Sequence, residues 1–513
     1  MKSIVLDRKI WTAIVLCASI LVIGADSKPK VLAGTLFTNT GQLLGQANVF
    51  TETCGDLDGD GDPDCILAST ALNSTIQVFS NNGAAILTDT GQVFPVRSAD
   101  FPLWNFGIVL VDVNRDGHLD IVSVDAVRGA DIFINNGSGF FPGNPQVLFD
   151  YDVSEFKGAD AGDLDNDGDL DLVIGDFWKP DRVYLNDGSG TFRDSGQRLG
   201  LNYHTWKTAL GDLDGDETLD LVVASRWNDP LLVYFNNWNG QFSNPGTILG
   251  FFDAYDVKLA DVNTDGYLDI IVAASINTST GTLSRIFLND GHGHFSDSGQ
   301  NLGTPNCETK EFGIGDLNND GYLDLILGNY GSANQIYLND GSGHFVQMPE
   351  TLESLNTVGL SLVDLNNDGY LDVIAGHLAV QHYKVYLNNG TMGSPNLSPS
   401  PPTGLASSIS GHTVILTWGN GSDAETPQVL LTYNLRVGRT PGGNEVLSGA
   451  LPFGFGNMKH AFRKVIRRLP AGTYYWSVQT VDSGFRWSDW ATEQTFIVQQ
   501  SDIYMPIILG QFP

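Results

Sequence analysis

A chain of 513 residues is too long for one ordinary core and calls for two or more domains. Its 59 glycines and low charged fraction (17%) fit a turn-rich all-β protein better than a helical one. The formal net charge of −32 opposes attraction to nucleic acid and to anionic membranes, so nucleic-acid binding drops out of the functional classes.

The N-terminus has the composition of an export signal. Lys2, Arg8 and Lys9 precede an apolar run at 10–23, and Gly24-Ala25 offers small residues for cleavage, setting the signal at 1–25. A retained anchor is the alternative. The run is short against the roughly 20 residues of a bilayer span, and no transmembrane span is expected in the mature chain. Three cysteines follow. Cys54 and Cys65 bracket an acidic loop, where a disulfide and two free thiols are both open; Cys307 reads as a small buried hydrophobe.

From residue 56 one acidic pattern recurs seven times. It begins as Asp56, Asp58, Asp60, Asp64; then Asp112, Asn114, Asp116, Asp120; Asp163, Asp165, Asp167, Asp171; and Asp212, Asp214, Asp216, Asp220. It continues as Asp261, Asn263, Asp265, Asp269; Asp316, Asn318, Asp320, Asp324; and Asp364, Asn366, Asp368, Asp372. The first aspartates are 56, 51, 49, 49, 55 and 48 residues apart, a period that marks a propeller or solenoid.

Carboxylates or amides at positions 1, 3, 5 and 9 of a tight loop form the oxygen-rich set that a hard cation needs. With neither sulfur nor histidine present, Ca2+ is favoured over zinc or copper, and Mg2+ would keep more of its waters. Seven such ions would bring the charge from −32 to −18. Metal-free acidic turns are the alternative. One loop per repeat, unvarying in type, points to a structural ion. Only the fourth loop departs, with Glu217 where the others have glycine. If that position needs φ > 0, a side chain costs about 1 kcal/mol, so this loop is expected to be the weakest or distorted.

Each repeat reads as four strands: one entering the loop, a β-branched one leaving it, one ending at an Asn-Asp-Gly type turn, and a fourth beyond. The seventh repeat stops after Asn388-Asn389-Gly390, while residues 34–42 look like a fourth strand. The N-terminal strand is therefore expected to complete the last blade of a closed seven-bladed β-propeller spanning 30–392. A Pro/Ser linker occupies 393–403, a β-sandwich 404–499, and a short tail 500–513.

The span 30–392 resembles the FG-GAP/VCBS repeat family, whose best-known members are the integrin α-chain propellers. In that family the loops bind calcium between the first two strands of a blade, and the resemblance implies that role for the loop residues named above. The C-terminal module resembles a fibronectin type III domain, through Trp418, Tyr433 and the segment 469–475, which looks like a tyrosine corner.

Function is then expected where the repeats vary, on the rim opposite the loops. That rim carries Trp104, Phe156, Trp178, Trp206, Trp227, Tyr255 and Tyr330, with Lys157, Lys179, Arg182, Lys207 and Arg226 among them. Aromatic faces stack on sugars and on other rings, and cations pair with carboxylates. Trp104, Trp178, Trp206, Trp227, Lys207 and Arg226 are the candidate ligand-binding residues; packing between blades is the plainer role for each. There is no G-x-S-x-G elbow and no H-E-x-x-H helix, and no catalytic residue is assigned. The expectation is a secreted or cell-surface calcium-binding protein that adheres to or recognises an extracellular protein or glycan. The alternatives are an extracellular polysaccharide lyase or hydrolase using the same face, and a purely structural surface protein.

Overall fold

The computed structural model describes residues 35–500, except the internal segments 46–48, 70–75, 93, 95–104, 126–128, 150–155, 276–282, 305–306 and 379–381. The expected export signal, Trp104 and the tail beyond Gln500 lie outside the described residues. Among those residues every element is a strand except one 3-10 turn at Gln428–Leu430, and no helix is long and apolar enough to cross a membrane.

Residues 37–388 form seven four-stranded antiparallel sheets. The third is typical: Phe156–Gly162, Asp171–Asp176, Asp181–Asn186 and Phe192–Leu199 lie side by side in chain order, with the acidic loop between the first two. Second strands such as Asp171–Asp176, Asp220–Ser225 and Asp372–His377 are buried at every residue. Neighbouring sheets cover both of their faces, which explains runs such as Leu221-Val222-Val223 without polar alternation. Fourth strands lie outermost and are mostly exposed, as in Phe192–Leu199.

Six sheets are built from consecutive strands. The seventh joins Thr357–Val363, Asp372–His377 and Tyr383–Asn388 to the N-terminal strand Phe37–Leu44, with Phe37 opposite Asn388. First strands neighbour one another from sheet to sheet, and Thr357–Val363 also lies beside Val49–Gly55 of the first sheet. Thr53, Gly107, Lys157, Lys207, Lys258, Gly313 and Leu360, one from each first strand, line a common cavity of about 380 Å³. The strands crowd there. A Cβ on Gly158 would sit 2.9 Å from the Trp206 carbonyl oxygen of the next sheet.

Adjacent sheets are stapled by one repeated polar device. The aspartate at loop position 9 accepts the N–H of loop position 2 on one oxygen and the N–H of an asparagine ending the third strand on the other. For Asp171 these donors are Leu164 (3.0 Å) and Asn186 (2.8 Å). The Asn186 side-chain amide then donates to Val113 O of the preceding sheet (2.8 Å). Asn135, Asn236, Asn289, Asn339 and Asn388 repeat this toward Leu57, Leu164, Leu213, Val262 and Leu317. In the first sheet Asn81 donates to Leu365 O of the seventh (2.8 Å). All seven asparagines are buried.

Cys54 and Cys65, opposite one another on paired strands, form a disulfide, and Cys307 is free and buried. Beyond residue 404 two three-stranded sheets enclose a core that includes Trp418, Tyr433, Leu435, Tyr474 and Trp476. The Tyr474 hydroxyl donates to Pro470 O (2.7 Å).

This second module sits on the acidic-loop side of the seven sheets. Its segment Pro452-Phe453-Gly454-Phe455 closes one end of the central cavity. Phe453 packs with Cys54, Cys65 and Leu365, and its N–H donates to Cys54 O (3.2 Å). Phe455 packs against the fifth, sixth and seventh sheets. The Pro/Ser segment is bound into this contact rather than spanning open solvent: Asn396 N–H donates to Gly369 O, and Asn319 Nδ2 to Ser394 O.

The staple predicts a measurable cost. Asn186→Ala strands the buried carbonyl of Val113 and the half-buried one of Leu170 and is expected to lose about 1–3 kcal/mol in chemical denaturation. A loss within experimental error would show that the amide does not hold the sheets together.

Candidate metal loops and the opposing aromatic face

Every loop turns through two left-handed residues, at positions 4 and 6. Position 6 has φ between +73° and +98°, and its N–H donates to Oδ2 of the position-1 aspartate in all seven loops. Glu217 obeys the same rule. Its φ is +73° and its N–H lies 2.9 Å from Asp212 Oδ2, so the fourth loop is not distorted as expected. Its side chain pairs with Arg463 of the second module.

The predicted ligand residues converge in part. In the three loops with aspartate at position 3, positions 1, 3 and 9 present oxygens within 4.8 Å of one another: Asp56, Asp58, Asp64; Asp163, Asp165, Asp171; and Asp212, Asp214, Asp220. Position 5 is not in these groups. Where position 3 is asparagine, its amide donates to the position-5 carboxylate instead: Asn114 to Asp116, Asn263 to Asp265, Asn318 to Asp320 and Asn366 to Asp368, all at 2.9–3.0 Å. Burial pushes the position-9 carboxyls far up, Asp171 to about 9 and Asp120, Asp220 and Asp372 to about 8. Asp165 is buried, and its Oδ1 has no hydrogen-bond partner. Converging, desolvated oxygens with spare acceptor capacity suit a hard divalent cation held by Asp163, Asp165 and Asp171 and their counterparts.

The second module adds donors to these loops. Ser448 Oγ donates to Asp112 Oδ2 (2.6 Å) and Ser483 Oγ to Asp316 Oδ2 (3.2 Å). The buried Lys464 ammonium lies 2.8 Å from Asp163 Oδ2, and Arg486 Nη2 lies 3.2 Å from Asp364 Oδ2. Arg468 reaches Asp165 (3.0 Å). None of these donors carries a sequence signal, since they come from scattered turns and strand ends.

On the opposite side the turns after the second strands and the starts of the first strands gather aromatic rings. Phe177 contacts Trp178, His204, Trp206 and Trp227 with ring centroids 5.0–5.8 Å apart. Trp206 meets Tyr255 edge-on at 5.6 Å. Trp178 and Trp227 nonetheless remain 41% and 54% exposed. Trp227 and Asn228 both have positive φ, and the turn closes with Asp229 N–H on Arg226 O (3.1 Å). A tryptophan in that conformation is strained by about 1–3 kcal/mol. His204 Nδ1 lies 2.7 Å from Asp229 Oδ2 and its ring 4.2 Å from that of Trp227, bracing the turn.

A cavity of about 210 Å³ opens beside this cluster, lined by Trp206, Lys207, Arg226, Tyr255, Lys310 and Tyr330 among others. The Arg226 guanidinium lies 3.5 Å and the Lys310 ammonium 3.3 Å from the Tyr255 ring centroid. Burial lowers Lys310 to about 8, although Glu308 pairs with it at 2.9 Å. Arg226 Nε donates to Asp253 (2.6 Å), and among the described residues neither Nη has an acceptor. Lys207 turns toward Glu311 (3.4 Å) and Asp256 (3.9 Å). Of the candidate ligand-binding residues the structure thus brings together Trp178, Trp206, Trp227 and Arg226, with Lys207 at the edge. Phe177, His204 and Lys310 were not singled out from sequence. They have no repeat counterpart that would flag them.

No curated protein matches the chain. Among solved structures it is similar to BBS1N in complex with ARL6DN: 13% identity and a TM-score of 0.45 for the lead-soaked crystal, covering 69% of this chain and 98% of that one. The mercury-soaked crystal gives 12% and 0.46 over 70% and 99%. The extracellular domain of BT3049 from B. thetaiotaomicron is similar at 10% identity and a TM-score of 0.41, over 91% of this chain and 58% of that one. The FG-GAP-like repeat model matches six times, at residues 56–123, 112–174, 163–223, 212–272, 261–327 and 316–375. These matches cover most of the chain and share their boundaries with the acidic loops, so the chain belongs to the FG-GAP-like repeat family.

Proposed function

We propose that this chain is an exported, calcium-binding recognition protein. In this reading it is a closed seven-bladed propeller capped by a fibronectin type III-like sandwich, and it binds a cell-surface protein or glycan through the face opposite the acidic loops. Ring closure is supported by the Asn81 bond to Leu365 and by the N-terminal strand paired in the seventh sheet. Calcium is supported by the converging carboxylates and by the unpartnered Asp165 Oδ1.

The observation that carries recognition is Trp227. It is held strained and half exposed on a platform of Phe177, Trp178 and His204. A buried wedge between blades would not need a left-handed backbone to stay exposed. The adjoining cavity, with Arg226 and Lys310 over Tyr255, suits a ligand that offers a stacking face and a carboxylate, such as an acidic sugar or an acidic side chain beside a ring. Residues Trp206 and Arg226 link platform and cavity.

One observation favours the enzymatic alternative. Glu52, on the first strand of the first sheet, is half-buried, and its buried Oε2 has no hydrogen-bond partner among the described residues. Burial and the charge of Glu311 push it to about 8, while Asp256 reaches only about 6. Carboxyls set apart in this way are what acid–base hydrolysis employs.

A glycan and protein binding screen followed by product analysis separates the two readings. The recognition reading expects bound ligand without turnover, and Trp227→Ala and Trp206→Ala should each weaken binding by at least about ten-fold, the scale of a lost aromatic anchor. Melting should shift little for Trp227→Ala. Wild-type affinity in both variants would contradict the assigned face. Turnover that disappears in Glu52→Gln would replace recognition by catalysis.

A further inference from the structure

The four position-1 aspartates touched by the second module are all touched on the same oxygen. In Asp112, Asp163, Asp316 and Asp364, Oδ2 already accepts the position-6 glycine N–H, at 2.7, 3.2, 2.7 and 2.8 Å. Ser448, Lys464, Ser483 and Arg486 respectively supply a second donor to that atom. Among the described residues Oδ1 accepts only the position-5 N–H, at 3.1 Å in each case. A carboxylate oxygen offers about two acceptor directions. Oδ2 is therefore filled, and Oδ1 keeps one direction for a cation. In the remaining loops Asp56, Asp212 and Asp261 have no such donor from the second module among the described residues.

We propose that the C-terminal module is an outer shell of the metal loops at Asp112 and Asp316, so that its docking and cation binding strengthen one another there. This rests on the calcium reading above. Ser448 and Ser483 are positioning residues: they fix the carboxylate plane without adding charge or occupying the direction left for the ion. The Lys464 and Arg486 cations instead offset the charge of Asp163 and Asp364 as an ion would. Outer-shell donors of this kind change metal affinity by roughly 10–100-fold when removed. Coupling is reciprocal, so an ion that binds the buttressed loops better must also tighten the docked module by the same factor. The Pro452–Phe455 segment completes the arrangement. It anchors the module on the axis of the first strands, where every loop-bearing sheet converges. The serine-buttressed loops at Asp112 and Asp316 are thus set apart from those at Asp163 and Asp364, where a cation of the module meets the same carboxylate. They are also set apart from that at Asp212, which meets the module through Glu217 and Arg463.

The two serines make the sharpest test, because replacing them changes orientation without changing charge. The Phe453 amide, bonded to Cys54 O across the contact, reports docking by hydrogen exchange. In the full chain, Ca2+ added after chelation is expected to slow exchange of the segment 451–458 about ten-fold or more. Ser448→Ala with Ser483→Ala should weaken about two calorimetric Ca2+ sites by about ten-fold, leave the others unchanged, and reduce the slowing. Exchange indifferent to Ca2+, or isotherms identical to the parent's, would overturn the coupling while leaving calcium binding intact. Weakening spread over every site would mark a general structural loss and also overturn it. A parent chain that takes up no Ca2+ would overturn both the coupling and the calcium reading.

Discussion

The buried carboxylate at loop position 9 is the constraint on which the rest of the structure depends. It holds the second residue of its own loop and the asparagine that ends the third strand, as Asp171 holds Leu164 and Asn186. That asparagine in turn reaches the preceding sheet. One side chain thereby fixes the loop, the register of strands two and three, and the distance to the neighbour. Seven such links, ending with Asn81 on Leu365, run through all seven sheets. Buried polar networks of this type specify a single arrangement when every member is satisfied, and leave costly orphans when one is missing.

The same carboxylates create an electrostatic problem on one face. Burial raises them well above the usual carboxylate range, so the bare loops are destabilised as anions. The proposed ions would relieve this, and the second module contributes in the same direction through Lys464, Arg463, Arg468 and Arg486. With one face occupied by loops and cap, the strained aromatic turn at Trp227 is left on the face that is free to meet a ligand. The division of labour follows from strand direction, because the chain passes from one rim to the other between the loop and the aromatic turn.

Much of this was legible in the sequence because it repeats. The loop pattern, its period, the β-branched second strands and the Asn-Gly turns all announce four-stranded units, and residues 34–42 match the missing last strand. The stapling role of Asn81 and its sisters was hidden, because the same asparagines also read as ordinary turn formers. The fourth loop is not distorted: Glu217 takes the left-handed conformation of its glycine counterparts, and its side chain pairs with Arg463. What lacks periodicity was not readable. Ser448, Lys464, Ser483 and Arg486 lie on separate segments of the second module, and only the docked geometry reveals their common target. Lys310 and His204 likewise acquire meaning only beside Tyr255 and Trp227.

The central claim is that cations in the acidic loops hold the seven sheets and the second module together. Thermal unfolding of the full chain with saturating Ca2+ and with excess chelator tests it most directly. Loops that bind at 100 times their Kd would each add about 2.7 kcal/mol, so a large drop in melting temperature on chelation is predicted. An identical melting temperature in both conditions would contradict the account.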